Sequence, residues 1–173
     1  MFPSRALVAA IDCITGVTGR LMAWLALAMA LLTVLIVVLR YGFGIGSIAM
    51  QELTIYMHAT LFLLGAAYTL KSQSHVRVDI FYRRFSPRTR AWINSLGTLV
   101  FLLPLAVFIV GVSWEFVANS WAIREVSAEP GGIPAVFLLK TLIPLMALNL
   151  LLQGVAELLR NATALVADAD YPE

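Results

Sequence analysis

The stretch Leu21–Leu39, LMAWLALAMALLTVLIVVL, carries no charged side chain and is bracketed by Arg20 and Arg40. About 20 apolar residues in an α-helix cross the hydrocarbon of a bilayer, which is roughly 30 Å thick. Three comparable runs follow. One lies between Glu52 and Lys71, one from Ala91 to Trp114, and one from about Ile133 to Ala156, interrupted only by Lys140. Lys140 falls near one end of its run, where its long stem can carry the ammonium to the interface. Backbone groups inside lipid have no water to bond, so each run must satisfy its own hydrogen bonds, as a helix does. The alternating polarity of membrane β-strands is absent from the sequence. The expected fold is an all-α integral membrane protein with four transmembrane helices over about 21–40, 50–70, 91–116 and 133–158.

Composition leads to the same class. Of 173 residues, 61% are hydrophobic and 13% charged, with a mean hydropathy of +0.89. Soluble domains run at about 45–50% apolar and about 25% charged, and a chain this short cannot hide so much apolar surface in one aqueous core. The net charge of +2 does not mark a nucleic-acid partner, because the basic residues border apolar runs rather than a soluble domain. A lone cysteine, Cys13, excludes an internal disulfide framework and a multi-cysteine metal site.

The distribution of Lys and Arg sets an expected orientation. Lys71, Arg77, Arg83, Arg84, Arg88 and Arg90 crowd the loop between the second and third runs, whereas the other two loops hold only Arg40 and Arg124. The positive-inside rule places the crowded loop in the cytoplasm, and four spans then bring both termini to that side. Trp24 and Trp92 fall near inner ends, and Tyr41, Trp114 and Trp121 near outer ends, as aromatic belts require.

Residues 1–20 place Leu7, Ile11, Ile14 and Thr18 at helical spacing, which fits either an interfacial amphipathic helix or an extension of the first span. Gly16 and Gly19 make a bend between the two plausible. The apolar run continues without a cleavage site, so a retained signal anchor is expected. Ser86-Pro87 reads as an N-cap followed by proline at the first helical position. Glu129-Pro130-Gly131-Gly132-Ile133-Pro134 is a breaker cluster ahead of the fourth span. Pro104 and Pro144 should kink their helices, and residues 161–173 form a short tail.

Candidate chemistry is sparse. Gly42-Phe43-Gly44-Ile45-Gly46 follows a membrane span rather than a strand, so it reads as a turn and not as a nucleotide loop. A membrane haem is usually held by two axial histidines within the bilayer. His58 is mid-span and His75 lies in a loop, so a helix–helix hydrogen bond near Tyr56 or Thr54 is the expected role of His58. Arg40, Glu52, Glu115 and Lys140 lie at or just inside the outer ends of their runs, where an interhelical ionic cluster could fix the bundle or dock a partner. A coupling carboxylate, Glu52, is the functional alternative. Glu157 and Arg160 read as a solvated pair. The basic and aromatic segment His75–Phe85, with Arg83 and Arg84 and then Arg88 and Arg90, fits a headgroup region facing anionic phospholipid rather than nucleic acid. No spacing for nucleophilic or metal catalysis appears.

Several short motifs carry a resemblance. They are Glu52-Leu53 opening a span, Leu64-Gly65-Ala66-Ala67-Tyr68-Thr69-Leu70-Lys71, His75-Val76-Arg77-Val78-Asp79, Arg40-Tyr41, Ser86-Pro87-Arg88, Lys140-Thr141-Leu142-Ile143-Pro144 and Gln153-Gly154. In this order and spacing the chain resembles the small, DctQ-like membrane subunit of TRAP (tripartite ATP-independent periplasmic) transporters. The resemblance implies a scaffold in the bacterial inner membrane. A large membrane subunit would carry substrate and sodium and move by an elevator motion, and a periplasmic binding protein would deliver a small organic acid anion. It implies no catalytic, cofactor or metal residue in this chain, with sodium on the partner, and structural or interface roles for Arg40, Glu52, His75, Arg77, Asp79 and Lys140. Gly65, Ala66 and Ala67 could allow close helix approach. The rival readings are a self-sufficient oligomeric transporter coupled through Glu52, the membrane anchor of a redox complex, and a lipid-modifying enzyme.

Overall fold

The computed structural model describes residues 2–72 and 85–169. These form four long helices: α1 (Phe2–Phe43), α2 (Ile48–Lys71), α3 (Pro87–Ala122) and α4 (Val136–Ala169). All four are long and apolar enough to cross a membrane.

The first helix is continuous, so residues 2–20 join the first apolar run without a break. Pro3 sits in its first turn, where a missing N–H costs nothing, and no proline follows before Phe43. At 42 residues the helix is roughly 60 Å long, about twice the hydrocarbon thickness, so its first turns extend past the lipid core. Gly16 and Gly19 do not interrupt it. They are contact points instead: a Cβ on Gly19 would collide with the ring of Tyr68 in α2, and one on Gly16 would lie 3.2 Å from Lys71 Nζ.

The glycine-rich stretch after α1 is a turn. Gly44 takes φ +68, where an L side chain is strained, and the Ile45 N–H closes the turn on the Leu39 carbonyl at 2.9 Å. Ser47 then caps α2 by accepting from the Met50 N–H. Ser86 caps α3 by accepting from the Thr89 N–H at 3.2 Å, with Pro87 at the first helical position.

Within α3 the turn Thr98–Leu102 is π-helical, and the Leu103 N–H reaches back to the Thr98 carbonyl. Pro104 lacks the N–H that would bond Val100 and crowds that carbonyl, so widening the preceding turn accommodates it without breaking the helix. Pro144 is carried inside α4, which runs on to Ala169 and takes up most of the expected tail.

α4 is the central helix. It packs against α1, α2 and α3, while α1 and α2 also pack on each other. The core is built from small side chains: Ala67, Ala91, Ala106, Ala147 and Ala156 are buried, together with Ile11. Large apolar groups such as Trp24, Leu31, Phe101 and Phe108 point outward. Water would penalise this arrangement, whereas lipid tolerates large apolar side chains outside and rewards close backbone approach within. Gly154 shows that approach directly, since an added Cβ would meet Leu103 Cδ2 at 2.9 Å beside the π-helical turn of α3. The glycine next to Ala66 and Ala67 behaves differently: nothing lies within 4 Å of a Cβ on Gly65.

Polar bonds lock the end that carries Lys71. Thr15 donates to the fully buried Gln153 at 3.0 Å and ties α1 to α4. Lys71 Nζ donates to the Asp12 carbonyl at 2.6 Å, joining α2 to α1. Arg160 bridges Glu157, at 2.5 Å, and Asp12. The Glu157–Arg160 pair expected to be solvated is thus only part-exposed and belongs to a three-helix network, because the N-terminal part of α1 packs against this end of α4.

Candidate functional site

The opposite end carries the densest side-chain chemistry, in the segment joining α3 to α4. α3 stops in a Schellman-type closure, with the Glu125 N–H on the Ser120 carbonyl at 3.0 Å and the Arg124 N–H on the Trp121 carbonyl at 3.2 Å. Arg124 holds the left-handed position at φ 49, which glycine usually fills. Its guanidinium lies 5.4 Å from the Trp121 ring centroid and 5.5 Å from that of Phe137. These cation–π contacts offset the backbone strain.

The segment then folds over α2. Glu52 accepts from the Ser127 hydroxyl and, at 2.6 Å, from the Ile133 N–H. Gly132 makes this possible, since a Cβ there would collide with the Ser127 side chain and lie 2.7 Å from Glu52 Oε1. Gly131 turns the chain at φ +80. Across the same end, Lys140 Nζ pairs with Glu125 at 2.5 Å and sits 4.1 Å over the Phe116 ring. Trp121 Nε1 donates to Thr141 Oγ1 at 2.8 Å, tying α3 to α4. The connection is therefore a clasp that fastens α2 to the α3–α4 pair.

Of the four residues proposed from sequence for an ionic cluster, Glu52 and Lys140 both enter the clasp, but with different partners. Arg40 and Glu115 are exposed and bond no described residue. The four do not meet because Glu125 and Ser127, which lie in the loop rather than in a span, reach the two central charges first. His58 also departs from expectation: it faces outward and stacks on Phe62 (centroids 6.4 Å apart, 17° between planes) instead of bonding a neighbouring helix. Thr54 spends its hydroxyl on the Met50 carbonyl of its own helix. Arg88 is exposed and Arg90 part-buried, while His75, Arg77, Asp79, Arg83 and Arg84 lie outside the described residues. Among the described residues no three His, Cys, Asp or Glu side chains gather around one point as metal ligands would.

The Glu125–Lys140 pair yields a test. Glu125→Lys and Lys140→Glu should each loosen the clasp, and the double exchange should restore it, whereas exchanging Glu52 and Lys140 should not. Amide exchange at Val136, whose N–H bonds the Glu125 carbonyl at 3.1 Å, reads the result. The hydrogen bond from Lys140 holds the Glu125 carboxyl below its ordinary range. A depressed carboxyl stabilises the fold above its unfolded value and loses that contribution as pH falls through the folded one. Protection at Val136 should therefore persist from pH 8 down through about pH 4, the ordinary carboxylate value, and fade only below it.

Together these features define a small multi-pass membrane protein whose helices are joined by polar and ionic contacts at both ends of the bundle. The sequence profile of the family described as "Tripartite ATP-independent periplasmic transporters, DctQ component" matches residues 29–164. The chain belongs to this family, a transporter component and not an enzyme. It is 29% identical over 105 residues to a Haemophilus influenzae protein named "Putative TRAP transporter small permease protein". That alignment covers 61% of this chain and 65% of the relative, slightly less than two thirds of its length. No solved structure matches the chain.

Proposed function

We propose that this chain is the scaffold subunit of a sodium-coupled secondary transporter that imports a small organic acid anion. It works with a large permease subunit, which carries sodium and substrate, and with a periplasmic binding protein. The observation that carries this reading is the family match over residues 29–164 on a bundle whose ionic groups tie its own helices at both ends. A rigid frame suits a subunit against which a partner moves as an elevator.

In this reading the chain lies in the bacterial inner membrane with both termini cytoplasmic. The clasp then faces the periplasm, where the binding protein docks. Arg40 and Glu115 pair with groups on the large subunit, which removes the cost of holding unpaired charge beside lipid. Arg83, Arg84, Arg88 and Arg90 meet anionic phospholipid headgroups, and His75, Arg77 and Asp79 belong to the cytoplasmic connection. The engagement of both Glu52 oxygens by Ser127 and Ile133 supports a structural role for that carboxylate over a proton-coupling one.

The test is a mild-detergent affinity purification of the chain from its native host, with the accompanying proteins identified. A large hydrophobic permease should accompany it in near-equal amount, and deleting the chain should abolish sodium-dependent uptake of the organic acid. A homogeneous preparation of this chain alone, active in transport after reconstitution, would overturn the proposal and return Glu52 to the coupling role.

A further inference from the structure

His58 is an ionisable side chain near the middle of a membrane-spanning helix, and it is exposed. It lies ten residues from Ile48 and thirteen from Lys71, about 15 Å and about 20 Å along the helix. Among the described residues it makes no hydrogen bond, only the stack on Phe62. A neutral imidazole presents one donor and one acceptor. Leaving both unpaired against hydrocarbon is costly, and intramembrane polar groups normally face protein.

The surroundings of His58 sharpen the point. Gln51, Ile55, His58, Phe62 and Gly65 follow one another at intervals of four, three, four and three, so they form one stripe on α2. Ile55 is 60% exposed and Phe62 70%. Gly65 lies part-exposed on this stripe with nothing within 4 Å of its missing Cβ. A mid-helix glycine costs about 1 kcal/mol relative to alanine, and nothing inside this chain uses the space it leaves. By contrast, the exposed stripe of α1, which includes Leu27, Leu31, Val34 and Val38, is wholly apolar there and needs only lipid.

We infer that the Gln51–Gly65 stripe of α2 is covered by a membrane helix of the large transporter subunit. Its backbone approaches over Gly65, and it supplies an oxygen acceptor to the His58 imidazole. This inference rests on the scaffold reading above and adds to it the contacting face and its chemistry. Phe62 packs at the same contact and holds the imidazole plane.

A photo-reactive benzoyl-phenylalanine placed at Phe62 in the intact transporter should cross-link to the large subunit, while the same probe at Leu31 should not. Gly65→Leu should leave the chain's own folding unchanged, because the side chain enters open space, yet reduce the large subunit recovered with it. His58→Leu should reduce that recovery about three- to thirty-fold, the range a hydrogen bond between membrane helices supports. His58→Gln, which keeps a donor and an acceptor, should recover most of it. If the large subunit co-purifies normally with Gly65→Leu and the Phe62 probe reaches only lipid or a second copy of this chain, the inference is overturned and the scaffold reading stands. If no large subunit accompanies even the unaltered chain, both fall together.

Discussion

Gly132→Val should open the clasp: backbone amides from Ser127 to Val136 should exchange faster by at least about ten-fold, and the detergent-solubilised chain should lose about 1–3 kcal/mol of stability. The expectation follows from geometry at one point. A Cβ on Gly132 meets the Ser127 side chain and Glu52 Oε1 at once, and both belong to the hydrogen bonds that hold the loop on α2. The chain cannot yield on one side without releasing the other. Moving Glu52 away strands the Ile133 N–H, and moving Ser127 away strands the Glu129 N–H, which bonds its hydroxyl at 3.1 Å. Glu52→Leu should mimic the exchange phenotype without the collision, which separates loss of the anchor from overpacking. Unchanged exchange in Gly132→Val would mean that the loop is held elsewhere.

Gly19→Leu should separate α1 from α2 near the Lys71 end, at a cost of similar size, about 1–3 kcal/mol. The added side chain runs into the Tyr68 ring near its attachment point as well as along its edge, so a small rotation of the tyrosine does not clear it. Because the Lys71 ammonium reaches the Asp12 carbonyl only when the two helices lie this close, the ionic network of Asp12, Glu157 and Arg160 loses an adjoining contact as well. Heat-induced aggregation in detergent, followed by size-exclusion chromatography, should begin at lower temperature. Adding Tyr68→Ala to a milder Gly19→Ala should restore much of the loss, since the double change removes the obstructing ring. Failure of that rescue would show that Gly19 serves another contact.

The positions with the strongest expected effects were not those that stood out by charge. Arg40, Glu52, Glu115 and Lys140 were legible as costly groups near the ends of apolar runs, because a charge in lipid is conspicuous in any sequence. Their partners were not. Glu125 and Ser127 sit in a polar loop where a carboxylate and a hydroxyl are unremarkable, and the Ile133 contact is made by the backbone, which the side-chain pattern does not encode. Gly132 was visible as part of a breaker cluster, yet its space next to Glu52 depends on how the loop lies over α2. Gly16 and Gly19 read in the sequence as a bend, and only the neighbours in space, Lys71 and Tyr68, show them to be contact points in an unbroken run of helix.

Four membrane helices, the N-cap at Ser86 with Pro87 after it, and the family resemblance were all legible along the chain, since each rests on local composition or on the order of residues. The hydrocarbon thickness and the need to satisfy backbone groups leave a long apolar run one structure to adopt. The tertiary structure decided the rest. It made α4 the central helix, joined residues 2–20 to the first span, paired Lys140 with Glu125 and Glu52 with the loop, and turned His58 outward. Those choices depend on which helix faces meet. In lipid the apolar pattern that marks a buried face in water is blurred, because large apolar side chains are equally at home outside. The faces are set instead by where glycine and alanine let backbones approach and by which polar groups then come within bonding distance.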